Sequence, residues 1–434
     1  MVRQGSFEES IRQWVNANRE RIVDQVGDLV KFDTVNQITT GKEKDSQVHI
    51  RGVLEALHME VDLYSPEDVP GFREHPAYFP GKDYADRPNV IGTKRGIGGG
   101  KSLVFSSHID TAVVAPGWSR SPWEPWIDGD RLYGLGSFDM KGGLAASIMA
   151  VQCLNELGVK LQGDVLIESV VDEEFGGANG TLAGRIRGDN PDAAIVPEPT
   201  NLAVCPASKG GALWRITFRG TTGLSFSGET IVNPVYAASK FMSFLERFEQ
   251  ARSEQPGPAP WYENDRYLPI VITRVEAGDM TAPLCDAGPT ECHVDIWIEC
   301  YPGTDEEQLK QELLDAFARD GGKEIVSGPY APTFSKMIRF LPGSEMTPGH
   351  PLIGILADEV ERTTGETAAV QGAPFACDAF MFNLHSPTPA IVIGPKGANA
   401  HAPDEYVEIS SLLQLVEIYA QTIVKWCGAA EERQ

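Results

Sequence analysis

The chain has 434 residues, which is long enough for two or three domains around a large buried core. Its net charge of −24 argues against nucleic acid or an anionic membrane surface as a partner, because both favour basic patches. The sequence contains no apolar run of about 18 residues and no apolar segment near its start, which predicts no transmembrane helix and no signal peptide. Seven cysteines without CxxC spacing indicate reduced thiols, so we expect a cytoplasmic location.

Apolar residues at helical spacing predict one opening helix over residues 7–32 and a second helix over residues 46–58. The Pro-, Gly- and aromatic-rich stretch at 65–88 is predicted to be an ordered surface loop, because it suits no regular element. From residue 89 on, short β-rich runs alternate with helical patterns such as residues 143–158. This alternation predicts an α/β fold with a mostly parallel sheet and helices on both faces.

The segment GIGGGKS at 96–102 resembles a phosphate-binding loop, but its spacing is wrong. Arg95 stands where the motif requires a glycine, and the segment leads into a strand pattern. A phosphate-binding loop needs a helix N-terminus at that point. We therefore predict a hairpin turn.

The pattern changes after residue 208, where alternating apolar and polar residues indicate half-exposed antiparallel strands separated by amphipathic helices. A strand-helix-strand-strand-helix-strand order predicts a small α+β domain inserted into the larger one. The expected boundaries are a catalytic domain at 1–207 and 343–434, and an inserted domain at 208–342.

Ionisable residues follow the ends of several predicted strands. His108 and Asp110 lie two positions apart at the end of one strand, so they share a face. One of them can bind a metal ion while the other orients it. Asp139 stands in the glycine-flanked turn GSFDMKGG ahead of a helix, where a carboxylate can reach two ions. Seen alone, Asp139 fits a helix N-cap equally well.

Glu173 and Glu174 follow the buried-type strand DVLIESVV, and adjacent carboxylates repel each other unless a cation lies near. Neighbouring residues point in opposite directions, so one can bind metal while the other faces a water molecule. Glu198 ends another strand between two prolines, and His401 follows the strand pattern PAIVIGP. Each residue is a weak signal by itself, since a solvated charge explains it as well. Together they predict a site for two divalent ions.

These segments resemble the metal-dependent aminoacylase and carboxypeptidase family, which includes acetylornithine deacetylase, succinyl-diaminopimelate desuccinylase and carboxypeptidase G. The resemblance covers nearly the whole chain. It implies that one ion is bound by His108, Asp139 and Glu198, and the other by Asp139, Glu174 and His401. It further implies that Asp110 orients His108, that Glu173 is the general base, and that the Asp139-Met140 peptide bond is cis.

The implied reaction is attack on an amide carbon by a hydroxide that bridges two divalent ions, with Glu173 accepting the proton of the water. Glu173 then passes this proton to the leaving nitrogen. Zinc suits the mixed nitrogen and oxygen ligands, but manganese or cobalt fits as well. The resemblance also implies that the inserted domain is a lid and forms a homodimer.

The chain departs from the family where substrate is expected to bind. Leu224 stands where many members have a histidine that stabilises the oxyanion, while Asn233 matches a substrate-binding asparagine. Glu299 and Phe380 lie at or near positions where members that bind an amino-acid carboxylate carry arginine. Phe380 is therefore expected to contribute to a more apolar pocket, suited to a ring or an acyl chain.

Three enzyme functions and one non-enzymatic function remain open at this point. The first is an N-acyl or N-formyl amide deacylase that acts on a small molecule. The second is an aminohydrolase that deaminates an aromatic or other non-amino-acid amine, and the third is a small-peptide carboxypeptidase. A binding protein that has lost catalysis is disfavoured, because the predicted ligands and the base Glu173 are all present.

Overall fold

A computed structural model of the protein describes residues 5–430, except for 224–227, 229, 266, 280, 283 and 286. The α-helices in these residues are α1 Gly5–Ala17, α2 Arg19–Val30, α3 Lys44–Ala56, α4 Gly142–Glu156, α5 Asn179–Arg187, α6 Pro234–Ser253, α7 Glu306–Phe317, α8 Lys323–Val326, α9 Pro351–Thr364, α10 Ala379–His385 and α11 Ile409–Cys427. The strands are β1 Glu60–Tyr64, β2 Asn89–Lys94, β3 Leu103–His108, β4 Trp126–Asp128, β5 Arg131–Tyr133, β6 Val165–Val170, β7 Ala193–Val196, β8 Val204–Ser208, β9 Gly210–Arg219, β10 Ile270–Ala277, β11 Glu291–Cys300, β12 Thr333–Lys336, β13 Ser344–Glu345, β14 Val370–Ala373, β15 Ala390–Val392, β16 Gly397–Ala398 and β17 Tyr406–Glu408.

The opening helical pattern is divided into two helices, so the prediction of one continuous helix is wrong. The break lies at Asn18, whose backbone adopts φ −111° and ψ 21°. Its side-chain amide donates a hydrogen bond of 2.8 Å to the carbonyl oxygen of Trp14. Asparagine competes in this way for backbone groups, and it is therefore common at helix ends.

The central sheet has nine strands within the described residues, in the order β1-β2-β6-β3-β7-β15-β8-β13, with β14 beside β8. The strands β6, β3, β7 and β15 are parallel, whereas β1, β2 and β6 pair in antiparallel fashion. Every residue of β3, β6 and β7 is buried. Because successive side chains point to opposite faces, both faces of the sheet are covered there. The predicted α/β fold with a mostly parallel sheet is confirmed.

The glycine-rich segment after β2 is a turn but not a hairpin, so that prediction is wrong. Strand β6 lies between β2 and β3 in the sheet. Instead, Ile97 and Gly98 donate backbone hydrogen bonds of 2.9 Å to the carbonyl oxygens of Leu161 and Gln162. A Cβ atom on Gly100 would lie 1.9 Å from the carbonyl oxygen of Cys427, so the close backbone approach requires glycine there.

The chain forms two compact units. The first comprises the residues up to Ser208, Glu345–Ala373 and the residues from Cys377 on. The second comprises Lys209–Ser344 and Pro374–Ala376, and its antiparallel sheet has the order β10-β11-β9-β12. Helices α6 and α7 bury phenylalanine and leucine side chains against this sheet. No helix in the described parts of the chain combines the length and the apolar character needed to cross a membrane.

Candidate metal centre

Parallel strands bring the predicted ligands to one edge of the central sheet. His108 is the last residue of β3, Glu173 and Glu174 follow β6, and Glu198 follows β7. Strand β3 pairs in parallel with both β6 and β7, so the carboxyl ends of the three strands lie side by side. This is the edge at which open α/β sheets usually bind ligands.

Asp139 lies at the centre of the cluster, between the two histidines. His108 Nε2 lies 3.3 Å from Asp139 Oδ1 and 3.4 Å from Glu198 Oε1. His401 Nε2 lies 3.3 Å from Asp139 Oδ2 and 2.9 Å from Glu174 Oε2. The two oxygens of Asp139 therefore face different histidines, as in a carboxylate that bridges two ions. The structure brings all five predicted ligands together.

The spacing of these atoms fits a divalent cation. Metal bonds of about 2.1 Å at tetrahedral angles separate two ligand atoms of one ion by about 3.4 Å. The distances from His108 Nε2 to Asp139 and Glu198 match that value. Glu173 Oε2 lies farther from the same ring nitrogen, at 3.9 Å. Glu173 therefore lies next to the predicted ligands, but farther from His108 than Asp139 and Glu198 do.

The electrostatics of the cluster also favour cations. Burial, together with the charge of Asp139, raises the pKa of Glu198 to about 8. Burial raises the pKa of Glu173 well above its ordinary value, and the nearby carboxylates of Asp378 and Glu198 raise it further. The charge of Glu174 raises the pKa of His401 to about 12. Buried carboxylates this close together are stable in their ionised form only when positive charge neutralises them, and divalent ions would provide that charge.

The carboxylate of Asp110 binds the backbone of the two adjacent glutamates. Its Oδ2 accepts hydrogen bonds from the backbone N–H groups of Glu173 at 3.0 Å and Glu174 at 3.1 Å. The ring Nδ1 of His108 lies 2.8 Å from the backbone carbonyl oxygen of Asp110, but 3.9 Å from its carboxylate Oδ1. The contact that orients the ring is therefore made by the backbone of Asp110, while its side chain positions the two glutamates.

Comparison with known proteins identifies the family. The model of Peptidase family M20/M25/M40 matches residues 104–425. The chain belongs to this family. Its sequence is 26% identical to the N-formyl-4-amino-5-aminomethyl-2-methylpyrimidine deformylase of Bacillus subtilis (strain 168), over 98% of this chain and 99% of the relative. The predicted family and the predicted metal-dependent hydrolase class are confirmed.

Two solved structures share the fold of this chain. The dipeptidase Dug1p of Saccharomyces cerevisiae superposes with a TM-score of 0.75 at 13% identity, covering 98% of this chain and 99% of its own. The YXEP protein of Bacillus subtilis, described as a dinuclear metal-binding peptidase of family M20, has a TM-score of 0.61 at 17% identity. That match covers 96% of this chain and 100% of the YXEP chain.

Glu405 is a further residue of the centre to which the sequence analysis assigns no role. Its carboxylate is buried and accepts backbone hydrogen bonds from Gly136, Phe138 and Asp139, at 2.8, 2.9 and 3.0 Å. These bonds fix the turn that carries Asp139. The Asp139-Met140 peptide bond within this turn is cis, as the family resemblance implies. In the sequence, Glu405 is marked only by its position four residues after the predicted ligand His401.

Replacement of Glu405 by glutamine is expected to weaken metal binding about 10- to 100-fold, the usual cost of losing a group that orients a ligand. The Glu405→Gln amide keeps one acceptor oxygen and turns an NH₂ group towards backbone N–H groups. Competition with a zinc chelator measures the effect. Glu361→Gln, on the exposed face of α9, serves as the control and should bind metal like the native protein. An unchanged affinity for Glu405→Gln would contradict this role.

Two of the three predicted substrate residues, Asn233 and Phe380, lie in the described part of the chain. Asn233 is the N-cap of α6 and accepts a hydrogen bond of 3.0 Å from the backbone N–H of Val235. Phe380 lies in α10 and is 2% exposed. Glu299, near a family arginine position, is buried and lies 3.7 Å from Lys209 Nζ. Leu224 lies outside the described residues. The substrate roles of Asn233, Phe380 and Leu224 remain predictions.

Asn233→Asp separates the capping role of Asn233 from the predicted role in binding substrate. Aspartate caps helices as well as asparagine does, so the stability should change by less than about 0.5 kcal/mol. The variant lacks the amide donor, so its KM should rise about 10-fold if that donor binds substrate. Urea unfolding and steady-state kinetics measure the two effects. An unchanged KM would remove Asn233 from the substrate site.

Proposed function

We propose that this protein is a two-metal hydrolase that cleaves an N-formyl or N-acyl amide of a small molecule. The observation that carries the proposal is the placement of His108 and His401 on opposite oxygens of Asp139, with Glu173 beside them. The similarity to a pyrimidine deformylase over nearly the whole chain supports the formyl group as the acyl group removed.

Each side chain has a role in this reaction. His108, Asp139 and Glu198 would hold one ion, and Asp139, Glu174 and His401 would hold the other. Zinc, manganese or cobalt bound there would acidify water and polarise the scissile carbonyl. Glu173 accepts the proton of the attacking water and delivers it to the leaving nitrogen. Asp110 accepts hydrogen bonds from the backbone N–H groups of Glu173 and Glu174, and it thereby positions both the base and the neighbouring ligand.

The leaving amine in this proposal is not an amino acid. Glu299 stands near a family arginine position and pairs inside the second unit with Lys209. Phe380 occupies the second position at which family members that bind an amino-acid carboxylate carry arginine, and its side chain is an apolar ring. Neither side chain can pair with a substrate carboxylate. This supports an aromatic or heterocyclic amine over an N-acyl amino acid or a peptide. A homodimer through the second unit and a cytoplasmic location are part of the same proposal.

A substrate panel tests the proposal. Protein loaded with zinc, manganese or cobalt is assayed on formylated aminomethyl heterocycles, N-acetyl amino acids, dipeptides and unacylated aromatic amines. We expect release of formate from the formylated heterocycles, with kcat/KM at least about 10-fold above that for N-acetyl amino acids, which corresponds to about 1.4 kcal/mol of discrimination. Release of ammonia from the unacylated amines would identify an aminohydrolase instead. A preference for dipeptides would identify a peptidase.

A further inference from the structure

The segment at 65–88 carries three buried polar side chains, although its composition is typical of a surface loop. Lys82 is 9% exposed, Tyr84 is 2% exposed and Arg87 is fully buried. Burying a charge is costly unless a partner of opposite charge compensates it. Asp172, which is also fully buried, is the partner that these three side chains share.

Lys82 and Tyr84 make short contacts to Asp172, and Arg87 lies farther away. Lys82 Nζ lies 2.9 Å from Asp172 Oδ1. The hydroxyl group of Tyr84 donates a hydrogen bond of 2.6 Å to Asp172 Oδ2. Arg87 Nη1 lies 3.9 Å from Asp172 Oδ1, while Nη2 of the same guanidinium binds Glu43 Oε1 at 2.7 Å. The resulting Asp172 cluster (Lys82, Tyr84, Arg87, Asp172 and Glu43) contains two cations and two carboxylates, so its charges balance.

Asp172 directly precedes the two glutamates of the metal centre. Its φ of +70° is rare for a residue with a side chain, so its conformation depends on its surroundings. The carbonyl oxygen of Asp172 accepts a hydrogen bond of 2.6 Å from the backbone N–H of Ala178 and closes the turn that contains Glu173 and Glu174. A Cβ atom on Gly177 would lie 2.1 Å from Asp172 Cγ, so the turn is packed tightly onto this side chain.

The turn is therefore held from two sides. On one side, Asp110 Oδ2 accepts the N–H groups of Glu173 and Glu174. On the other side, the carboxylate of Asp172 is held by Lys82 and Tyr84 of the segment 65–88. Asn179, after the turn, strengthens the second side, because its amide donates to the hydroxyl oxygen of Tyr84 at 2.8 Å.

We propose that Lys82 and Tyr84 are positioning residues for catalysis: they fix Asp172 and thereby the place of the base Glu173. The inference rests on the proposed function in so far as Glu173 is the base. A displacement of a reacting group by about 1 Å costs on the order of 100-fold in rate. Through these two residues, the segment 65–88 acts on the rate of the chemical step.

Kinetics of three variants test this role against a matched control. Lys82→Met and Tyr84→Phe should each lower kcat about 10- to 100-fold, with KM within about threefold and two ions per chain retained. Lys82→Arg should recover part of the loss, since it restores the charge. The control is Lys44→Met, which removes an exposed pair of 2.5 Å with Asp86 and should leave kcat within about twofold. Native kcat in both Lys82→Met and Tyr84→Phe would overturn the inference.

A double-mutant cycle tests whether Lys82 acts through Asp172. In an Asp172→Asn background, Lys82→Met should lower kcat no further, because the position of Asp172 is already lost. If the two substitutions lower kcat by factors that multiply, as independent sites do, the inference is overturned.

Amide hydrogen exchange provides a readout that needs no activity. Lys82→Met, but not Lys44→Met, should speed exchange at the backbone N–H groups of Glu173 and Glu174. If the native protein releases no formate, the proposed function is wrong. Amide hydrogen exchange still tests whether Lys82 positions the turn. Unchanged exchange in Lys82→Met would overturn positioning alone.

Discussion

Glu173→Gln is expected to lower kcat by about 100- to 10,000-fold, the range that a positioned general base contributes. Glutamine has the same shape as glutamate but cannot accept the proton of the attacking water. Glu173 lies 3.9 Å from His108 Nε2, farther than the predicted ligands Asp139 and Glu198. The variant should therefore retain two ions per chain. Steady-state kinetics and elemental analysis of the purified variant measure both quantities.

The control for this variant is Glu20→Gln, which makes the same change on the exposed face of α2 and should keep native kcat. Two outcomes would contradict the assignment of the base. Activity within about tenfold of native would show that another group takes the proton. Loss of one ion from Glu173→Gln would show that Glu173 is a ligand instead.

Asp139→Asn is expected to remove metal from the protein rather than to slow a loaded enzyme. The two carboxylate oxygens of Asp139 face His108 and His401, so an amide, which has one oxygen and carries no charge, serves at most one ion. Metal content should fall below one ion per chain, and kcat/KM should fall more than about 1000-fold. Elemental analysis after dialysis and kinetics in excess metal measure these effects.

Asp45→Asn, on the exposed side of α3, is the matched control and should bind metal like the native protein. Asp139→Asn with two tightly bound ions would contradict the bridging role. Binding of one ion at native affinity would indicate that Asp139 belongs to a single ion site.

The ligand residues were predictable from sequence because their positions follow from local patterns. His108, Glu174 and Glu198 each end or follow a strand with an apolar pattern, and parallel strands end at one edge of a sheet. The turn at Asp139 was visible from its glycines and the helix that follows. The meeting of these predicted ligands at one site could therefore be inferred from the sequence before any distance was known.

The residues that support the centre were not predictable in the same way. Glu405 binds the turn at Asp139 from a segment more than 260 positions away, and Lys82 reaches Asp172 from a loop. Neither contact leaves a periodic signal, because each depends on how distant segments pack. The hairpin prediction failed for the same reason, since the pairing of β2 with β6 is not local.

Metal titration of the apo-protein, with formate release from a formylated aminomethyl heterocycle as the readout, shows whether two ions are needed for the reaction. We expect the rate to rise until two equivalents of zinc, manganese or cobalt are bound per chain and then to stay constant. A rate that saturates at one equivalent, or formate release that needs no metal, would contradict the two-metal site. Full loading with two ions and no formate from any formylated amine would contradict the proposed reaction.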